Sequence, residues 1–137
     1  MLLKNQKMNM SSILPTILII EDDLLTLDLY MRELSRDFDV VACSDGDKAL
    51  EMISSRDLDA VVLEPVIRNG QGWDLFNDIL ALPPNIRPFP IILCSIQDER
   101  KRGLSMGASV FLVKPVLPIQ LTETLHREIG KEDVVKP

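Results

Sequence analysis

The sequence predicts an α/β fold in which helices cover both faces of a doubly wound, five-stranded parallel sheet. Five short apolar runs recur along the chain, at residues 17–20, 40–42, 60–63, 91–93 and 110–113. The runs show no polar alternation, and this pattern is typical of strands that are covered on both faces. Segments with helical periodicity lie between the runs. A strand followed by a helix, five times over, favours the doubly wound arrangement.

Four of the five segments that follow the runs carry apolar residues at helical spacing. Their stripes are Leu24, Leu27, Tyr30, Met31 and Leu34; Ala49, Leu50 and Ile53; Leu75, Phe76, Ile79 and Leu80; and Leu121, Leu125 and Ile129. The remaining segment, residues 98–106, is short and highly charged, so we expect a short helix with a solvated face there. Pro83 and Pro84 end the third helix, because proline lacks the amide hydrogen that a continuing helix needs.

The length and composition describe one globular domain. The chain has 137 residues, of which 46% are apolar and 26% are charged, and its net charge of −6 argues against direct contact with nucleic acid. The apolar runs are too short to span a bilayer, so no membrane insertion is expected, and the first residues lack a signal-peptide pattern. We predict a cytoplasmic domain at residues 15–130, with a loose leader at 1–14 and a tail or the start of a linker at 131–137.

Polar residues follow four of the apolar runs at the point where each strand ends. Glu21 and Asp22 follow the first run, Glu64 the third, Ser95 the fourth and Lys114 the fifth. In an open α/β sheet the carboxyl ends of the strands border the ligand crevice, so we expect these side chains to meet in one cleft. Clustered carboxylates favour a hard cation such as Mg²⁺, and a hydroxyl with an ammonium could hold an anionic group such as phosphoryl.

Five segments in register resemble the receiver domain of bacterial response regulators. They read ILIIEDD at 17–23, CSDGDKAL at 43–50, DAVVLEP at 59–65, PIILCS at 90–95 and GASVFLVKP at 107–115. The resemblance extends from about Thr16 to Gly130, nearly the whole chain. It implies a flavodoxin-like fold with five helices and the strand order 2-1-3-4-5.

The resemblance also implies roles for residues of the cleft. Glu21 and Asp22 match the acidic pair that helps to bind Mg²⁺, and the residue at position 64 would be a third ligand. Ser95 matches the hydroxyl that contacts the phosphoryl group, and Lys114 matches the lysine of the cleft. Phe111 stands where the family places an aromatic residue that changes rotamer on activation. No catalytic residue is assigned, since the resemblance implies a signalling domain rather than an enzyme.

Glu64 stands where the family has its phosphoacceptor aspartate. An aspartate there acts as a carboxylate nucleophile toward a phosphoryl donor held in line. Glutamate adds one methylene, which moves the oxygens by up to about 1.5 Å, and an error of about 1 Å can cost ~100-fold in rate. The longer carboxylate would lie nearer the position of a phosphoryl oxygen, within reach of Lys114 or Ser95. The sequence therefore predicts a poor phosphoacceptor that mimics the phosphorylated state with a single negative charge.

Three further departures from the family pattern favour the same interpretation. Arg68 replaces the usual proline four residues after Glu64, and Ile96 replaces the small residue that keeps the cleft open. The segment between Ser95 and Lys114 is shorter than usual by about one helical turn. We therefore expect the fourth helix to be trimmed or distorted.

Three hypotheses about function follow. The leading one is a pseudo-receiver that acts by protein–protein interaction without conventional phosphorylation. Its partner would be a sensor histidine kinase or a downstream signalling protein, contacted through the last helices and strand, and the resemblance also allows a homodimer. The second is a functional receiver in which Glu64, or Asp22, still accepts phosphoryl with Mg²⁺. The third and most remote is a small cofactor-binding enzyme on the same fold, although the acidic residues after the first strand would repel a phosphate-bearing cofactor.

Overall fold

The computed structural model describes residues 14–135, with side chains as far as residue 131. In this range five strands alternate with five helices. The strands are β1 (Thr16–Ile20), β2 (Asp39–Cys43), β3 (Ala60–Leu63), β4 (Ile91–Ser95) and β5 (Val110–Val113). The helices are α1 (Leu24–Leu34), α2 (Gly46–Ser55), α3 (Ile67–Leu80), α4 (Arg100–Met106) and α5 (Pro118–Val135).

The strands form one parallel sheet in the order β2-β1-β3-β4-β5, so the predicted fold class and strand order are confirmed. The three central strands are almost wholly buried, because helices cover the sheet on both sides. This two-sided cover explains why their sequences are continuous apolar runs.

Two apolar clusters hold the helices to the two faces of the sheet. Alternate residues of β1 divide between them, because successive side chains of a strand point to opposite faces. Leu18 and Ile20 join the cluster that includes residues of α2 and α3, whereas Ile17 and Ile19 join the cluster that includes residues of α1 and α5. The sheet is thus sandwiched, and its carboxyl edge is the place where loops can form a site.

Two helices differ from a plain reading of the sequence, and one agrees with it. The third helix contains a left-handed segment at Arg68, Asn69 and Gly70, so regular helix resumes only after this segment. The fourth helix has seven residues, in line with the short helix that we expected. The fifth helix continues to Val135 and so includes residues that we predicted as a tail. The predicted leader lies outside the described residues, apart from Leu14.

Within residues 14–135, none of the helices combines the length and the apolar character that crossing a bilayer requires.

Candidate functional site

The strand register brings the predicted polar residues to one edge of the sheet. β1 and β3 are paired up to their last residues, and therefore Glu21 and Glu64 leave the sheet side by side. β4 and β5 are likewise paired to their ends, where Lys114 donates its backbone N–H to the carbonyl of Ser95 at 2.8 Å. The four residues come from distant parts of the chain, and parallel pairing of four strands makes them neighbours.

Lys114 connects the two buried carboxylates. Its ammonium Nζ donates to Oε1 of Glu21 and lies 3.3 Å from Oε1 of Glu64. The lysine side chain is only 13% exposed, and each glutamate side chain is 5% exposed. Because these groups are buried, the ion pairs are important for the stability of the fold: a buried carboxylate without a partner would be strongly destabilising.

Backbone amides complete the surroundings of Glu64. Its Oε1 accepts the N–H of Ile96 at 3.1 Å, and its Oε2 accepts the N–H of Val66 at 3.1 Å. With Lys114, the carboxylate receives hydrogen bonds from the loops after β3 and β4 and from the end of β5. The expected reach of Glu64 to Lys114 is therefore present in the structure, and the two backbone donors add to it.

The pKa of Lys114 lies above its ordinary value. Burial acts to lower this pKa, but the hydrogen bond to Glu21 and the negative charges of Glu21 and Glu64 outweigh it. The folded protein thus holds the lysine proton more tightly than the unfolded chain does. The pairing stabilises the fold fully below the ordinary lysine pKa, and this stabilisation is lost as the pH rises through the raised value.

We accordingly expect the free energy of unfolding to fall above about pH 10, and to fall less in a Lys114→Met variant. Urea unfolding followed by the fluorescence of Trp73, from about pH 8 to about pH 11, measures this difference. The pKa of Tyr30 is also raised, chiefly by burial, but this tyrosine is present in both proteins. The difference between them therefore isolates Lys114, and equal losses in the two proteins would contradict the expectation.

Asp22 accepts its hydrogen bond from the first turn of α3 and not from Lys114. Its exposed side chain accepts the backbone N–H of Arg68 at 3.1 Å. Arg68 has a φ of 47°, and the guanidinium lies 3.9 Å from the carboxylate of Asp45. Proline, the usual residue of the family at this position, has no N–H to donate and cannot adopt this φ. Arg68 thus makes possible a contact with Asp22 that the usual residue would exclude.

The predicted magnesium ligands do not form a metal site in this structure. Mg²⁺ requires oxygen ligands in near-octahedral geometry at about 2.0–2.1 Å. Both oxygens of Glu21 and both oxygens of Glu64 already accept hydrogen bonds, and Asp22 is bonded to Arg68. Across the described part of the chain, no three His, Cys, Asp or Glu side chains are grouped so that they could hold a metal ion. In this arrangement the ammonium of Lys114 lies between the two buried carboxylates, and the donor set does not fit Mg²⁺ unless these hydrogen bonds are exchanged.

Ser95 and Phe111, the other two predicted site residues, are both buried. The hydroxyl oxygen of Ser95 accepts the backbone N–H of Gln97 at 3.1 Å. Phe111 packs against α4 at Gly103, where an added Cβ would lie 2.7 Å from Cδ2 of the phenylalanine. The absence of a side chain at Gly103 thus creates the space that the ring of Phe111 occupies.

The structure also shows the surroundings of Cys94, Trp73 and His126. Cys94 is buried, and burial is the main cause that raises the pKa of its thiol to about 11. Trp73 packs within α3, where the guanidinium of Arg102 lies 4.0 Å from the centroid of its ring. His126 is exposed on α5, with Nε2 2.8 Å from a carboxylate oxygen of Asp37.

Sequence reasoning missed the backbone donors of Val66 and Ile96 to Glu64. Side-chain patterns carry no information about which amide N–H groups a fold leaves free. The only available signal was position, because both residues closely follow strand ends, where the sheet no longer uses every amide. The sequence singles out Ile96 for its bulk, whereas in the structure its backbone N–H donates to Glu64.

Comparison with known proteins places the chain among signalling proteins. A family model of the response regulator receiver domain matches residues 17–126. The alkaline phosphatase synthesis transcriptional regulatory protein PhoP of Bacillus subtilis (strain 168) is 25% identical over 125 residues, which cover 88% of this chain and 51% of that protein. The two-component response regulator ORR3 of Oryza sativa subsp. indica is 26% identical over 122 residues, which cover 85% of this chain and 92% of that protein.

Solved structures agree with the sequence comparisons. The non-phosphorylated HemR receiver domain from Leptospira biflexa has a TM-score of 0.74 at 28% identity, covering 85% of this chain and 94% of that one. A CheY-like receiver domain protein from Methanospirillum hungatei JF-1 has a TM-score of 0.77 at 21% identity, covering 88% and 98%, and supports the fold alone. The chain spans 51%, 32% and 43% of three of its curated relatives. From its sequence, its sheet order and these matches, the chain belongs to the response regulator receiver domains of two-component signalling.

Proposed function

We propose that this domain is a pseudo-receiver, which signals by protein–protein interaction without conventional aspartyl phosphorylation. In this proposal Glu64 occupies the acceptor position and imitates the phosphorylated state. The domain performs no reaction of its own. Receiver domains interact with histidine kinases and with downstream effectors, and a partner of one of these kinds is what this module would bind.

The observation that carries the proposal is the set of three donors around the Glu64 carboxylate. A nucleophilic carboxylate needs a free lone pair aimed at the phosphorus atom of the donor. Here Lys114, Ile96 and Val66 all donate to the two oxygens of Glu64, from three separate segments. An ionised carboxylate has about four lone-pair directions, and these donors occupy three of them, so attack is restricted to the remaining direction on Oε2 unless a hydrogen bond breaks inside a buried site.

The same three donors also support the proposal that Glu64 imitates the phosphorylated state. They hold an anionic oxygen pair between the loops that follow β3 and β4 and the end of β5, so that one negative charge ties the three segments together. A phosphoryl group would bring nearly two charges, and the mimicry is therefore partial. Phe111 is buried beside α4, and this arrangement is compatible with one fixed conformation of the domain.

The last helices and strand supply the surface through which we expect the partner to bind. Large apolar side chains are exposed at Leu104 of α4, at Leu117 and at Ile119 of α5. Leu24 and Leu25 of α1 are exposed too, so Ile119 is chosen for the test because it lies in the face that the family resemblance predicts. Substitution of Ile119 by Asp would test the face in any partner assay.

Intact mass after incubation with acetyl phosphate and MgCl₂ tests the pseudo-receiver proposal. We expect wild-type protein to keep its mass, and Glu64→Asp to gain the mass of one phosphoryl group, because the shorter carboxylate withdraws from its donors. Glu64→Gln is the matched control, since it keeps the shape of the side chain and removes the nucleophile.

The opposite result would support the functional-receiver hypothesis. If wild-type protein gains a phosphoryl group that Glu64→Gln does not gain, Glu64 is an acceptor and the proposal is wrong. If the group is lost instead in Asp22→Asn, Asp22 is the acceptor, and the proposal is equally wrong.

A further inference from the structure

We infer that the ammonium of Lys114 takes the place of Mg²⁺ in this cleft, so that the domain neutralises its buried carboxylates without a metal ion. The inference deepens the proposed function and rests on it, because both assign Glu64 a fixed place among protein donors. It makes a separate statement, however, about which cation the cleft holds.

The ammonium of Lys114 lies between the carboxylates of Glu21 and Glu64. Nζ of Lys114 is within hydrogen-bond distance of Oε1 of Glu21 and of Oε1 of Glu64. These are the two buried acidic side chains of the cleft, and a divalent cation bound by both would need the same oxygens. The cation and the ammonium therefore compete for one position.

Displacement of the Lys114 ammonium by Mg²⁺ would cost free energy. The lysine side chain is 13% exposed, so it has little access to water in the folded protein. If Mg²⁺ took Oε1 of both glutamates, the ammonium would stay close to a like charge with its two partners removed. Mg²⁺ would also have to lose part of its hydration shell, which it does reluctantly.

The other oxygen of each buried glutamate is engaged by a backbone N–H. Oε2 of Glu21 accepts the backbone N–H of Asp23, and Oε2 of Glu64 accepts that of Val66, both at 3.1 Å. Asp22, the third expected ligand, is exposed and bonds to the backbone of Arg68. A metal ion would have to reorganise two loops and the buried pair together.

Manganese binding, measured from the loss of the free Mn²⁺ signal in electron paramagnetic resonance, tests the inference with a probe that resembles Mg²⁺. We expect wild-type protein to show no saturable site at Mn²⁺ concentrations equimolar with the chain. Glu64→Asp, whose carboxylate is shorter, and Lys114→Gln, which lacks the ammonium, should each bind Mn²⁺ about tenfold more tightly or better than wild type. Asp28→Asn, on the exposed face of α1, controls for binding to surface carboxylates.

Each outcome decides the inference separately from the proposed function. One Mn²⁺ per wild-type chain, lost in Glu21→Gln, would overturn the inference, even if acetyl phosphate still left the wild type unmodified. Absence of binding in wild type and in both variants would also overturn it, because Lys114 and Glu64 would then not be what excludes the ion. If Lys114→Gln does not fold by circular dichroism, the Glu64→Asp result alone decides. Phosphorylation of wild type would overturn the proposed function, whatever the manganese result.

Discussion

Lys114→Met is expected to lower the free energy of unfolding by about 3 kcal/mol, the lower end of the range measured when one partner of a buried ion pair is removed. Methionine keeps most of the volume of the lysine stem but brings no charge. Glu21 and Glu64 would then lie buried, close together and without their shared cation. Urea unfolding followed by circular dichroism measures the loss.

A second substitution tests the physical reason for this loss. Adding Glu64→Gln to Lys114→Met should recover part of the stability, since it removes one of the two uncompensated charges. Arg32→Met is the control for removing a basic residue from an exposed pair, because Arg32 and Asp28 are largely exposed on α1 and their pairing is worth at most about 1 kcal/mol. A loss in Lys114→Met no larger than in Arg32→Met would show that the buried network contributes little.

Gly72→Ala is expected to destabilise the domain by about 2–3 kcal/mol, the upper part of the usual range for overpacking. A Cβ at position 72 would lie 2.6 Å from Cα and from the carbonyl oxygen of Pro65, and 2.7 Å from the carbonyl oxygen of Glu64. These are backbone atoms, which cannot rotate away as the end of a side chain can. Relief requires α3 to move away from the end of β3, where Glu64 is anchored.

Gly130→Ala is the matched control for this substitution. Gly130 lies within α5, and an added Cβ there has no neighbour within 4 Å. Alanine should therefore stabilise the helix by up to about 1 kcal/mol, because it restricts the unfolded chain more than glycine does. Denaturant unfolding of both variants gives the comparison, and a Gly72→Ala protein as stable as wild type would contradict the close approach at Pro65.

The same close approach couples α3 to the candidate site. If α3 shifts in Gly72→Ala, the backbone N–H of Val66, which donates to Glu64 from the start of this segment, should shift with it. The amide resonance of Val66 is therefore expected to move more in Gly72→Ala than in Gly130→Ala.

Much of the fold could be predicted because apolar burial is a property of residue types. The continuous apolar runs reflect strands covered on both faces, and their spacing left room for one helix after each strand. The ends of the helices were harder to predict from the sequence. Arg68 and Asn69 adopt positive φ in the structure. Asparagine tolerates this conformation, but arginine gives no signal for it, because the strain is accepted only where the surrounding segment fixes it.

The candidate site also has a part that the sequence predicts and a part that it does not. The sequence by itself determined which polar residues stand at the strand ends, namely Glu21, Glu64, Ser95 and Lys114. Parallel pairing brings these strand ends to one edge of the sheet. Only the tertiary structure decided their pairing. Lys114 bonds to both glutamates, Asp22 bonds to the backbone of Arg68, and the amides of Val66 and Ile96 complete the Glu64 carboxylate. These choices depend on loop paths and on backbone N–H groups, which every residue except proline carries and which no sequence pattern distinguishes.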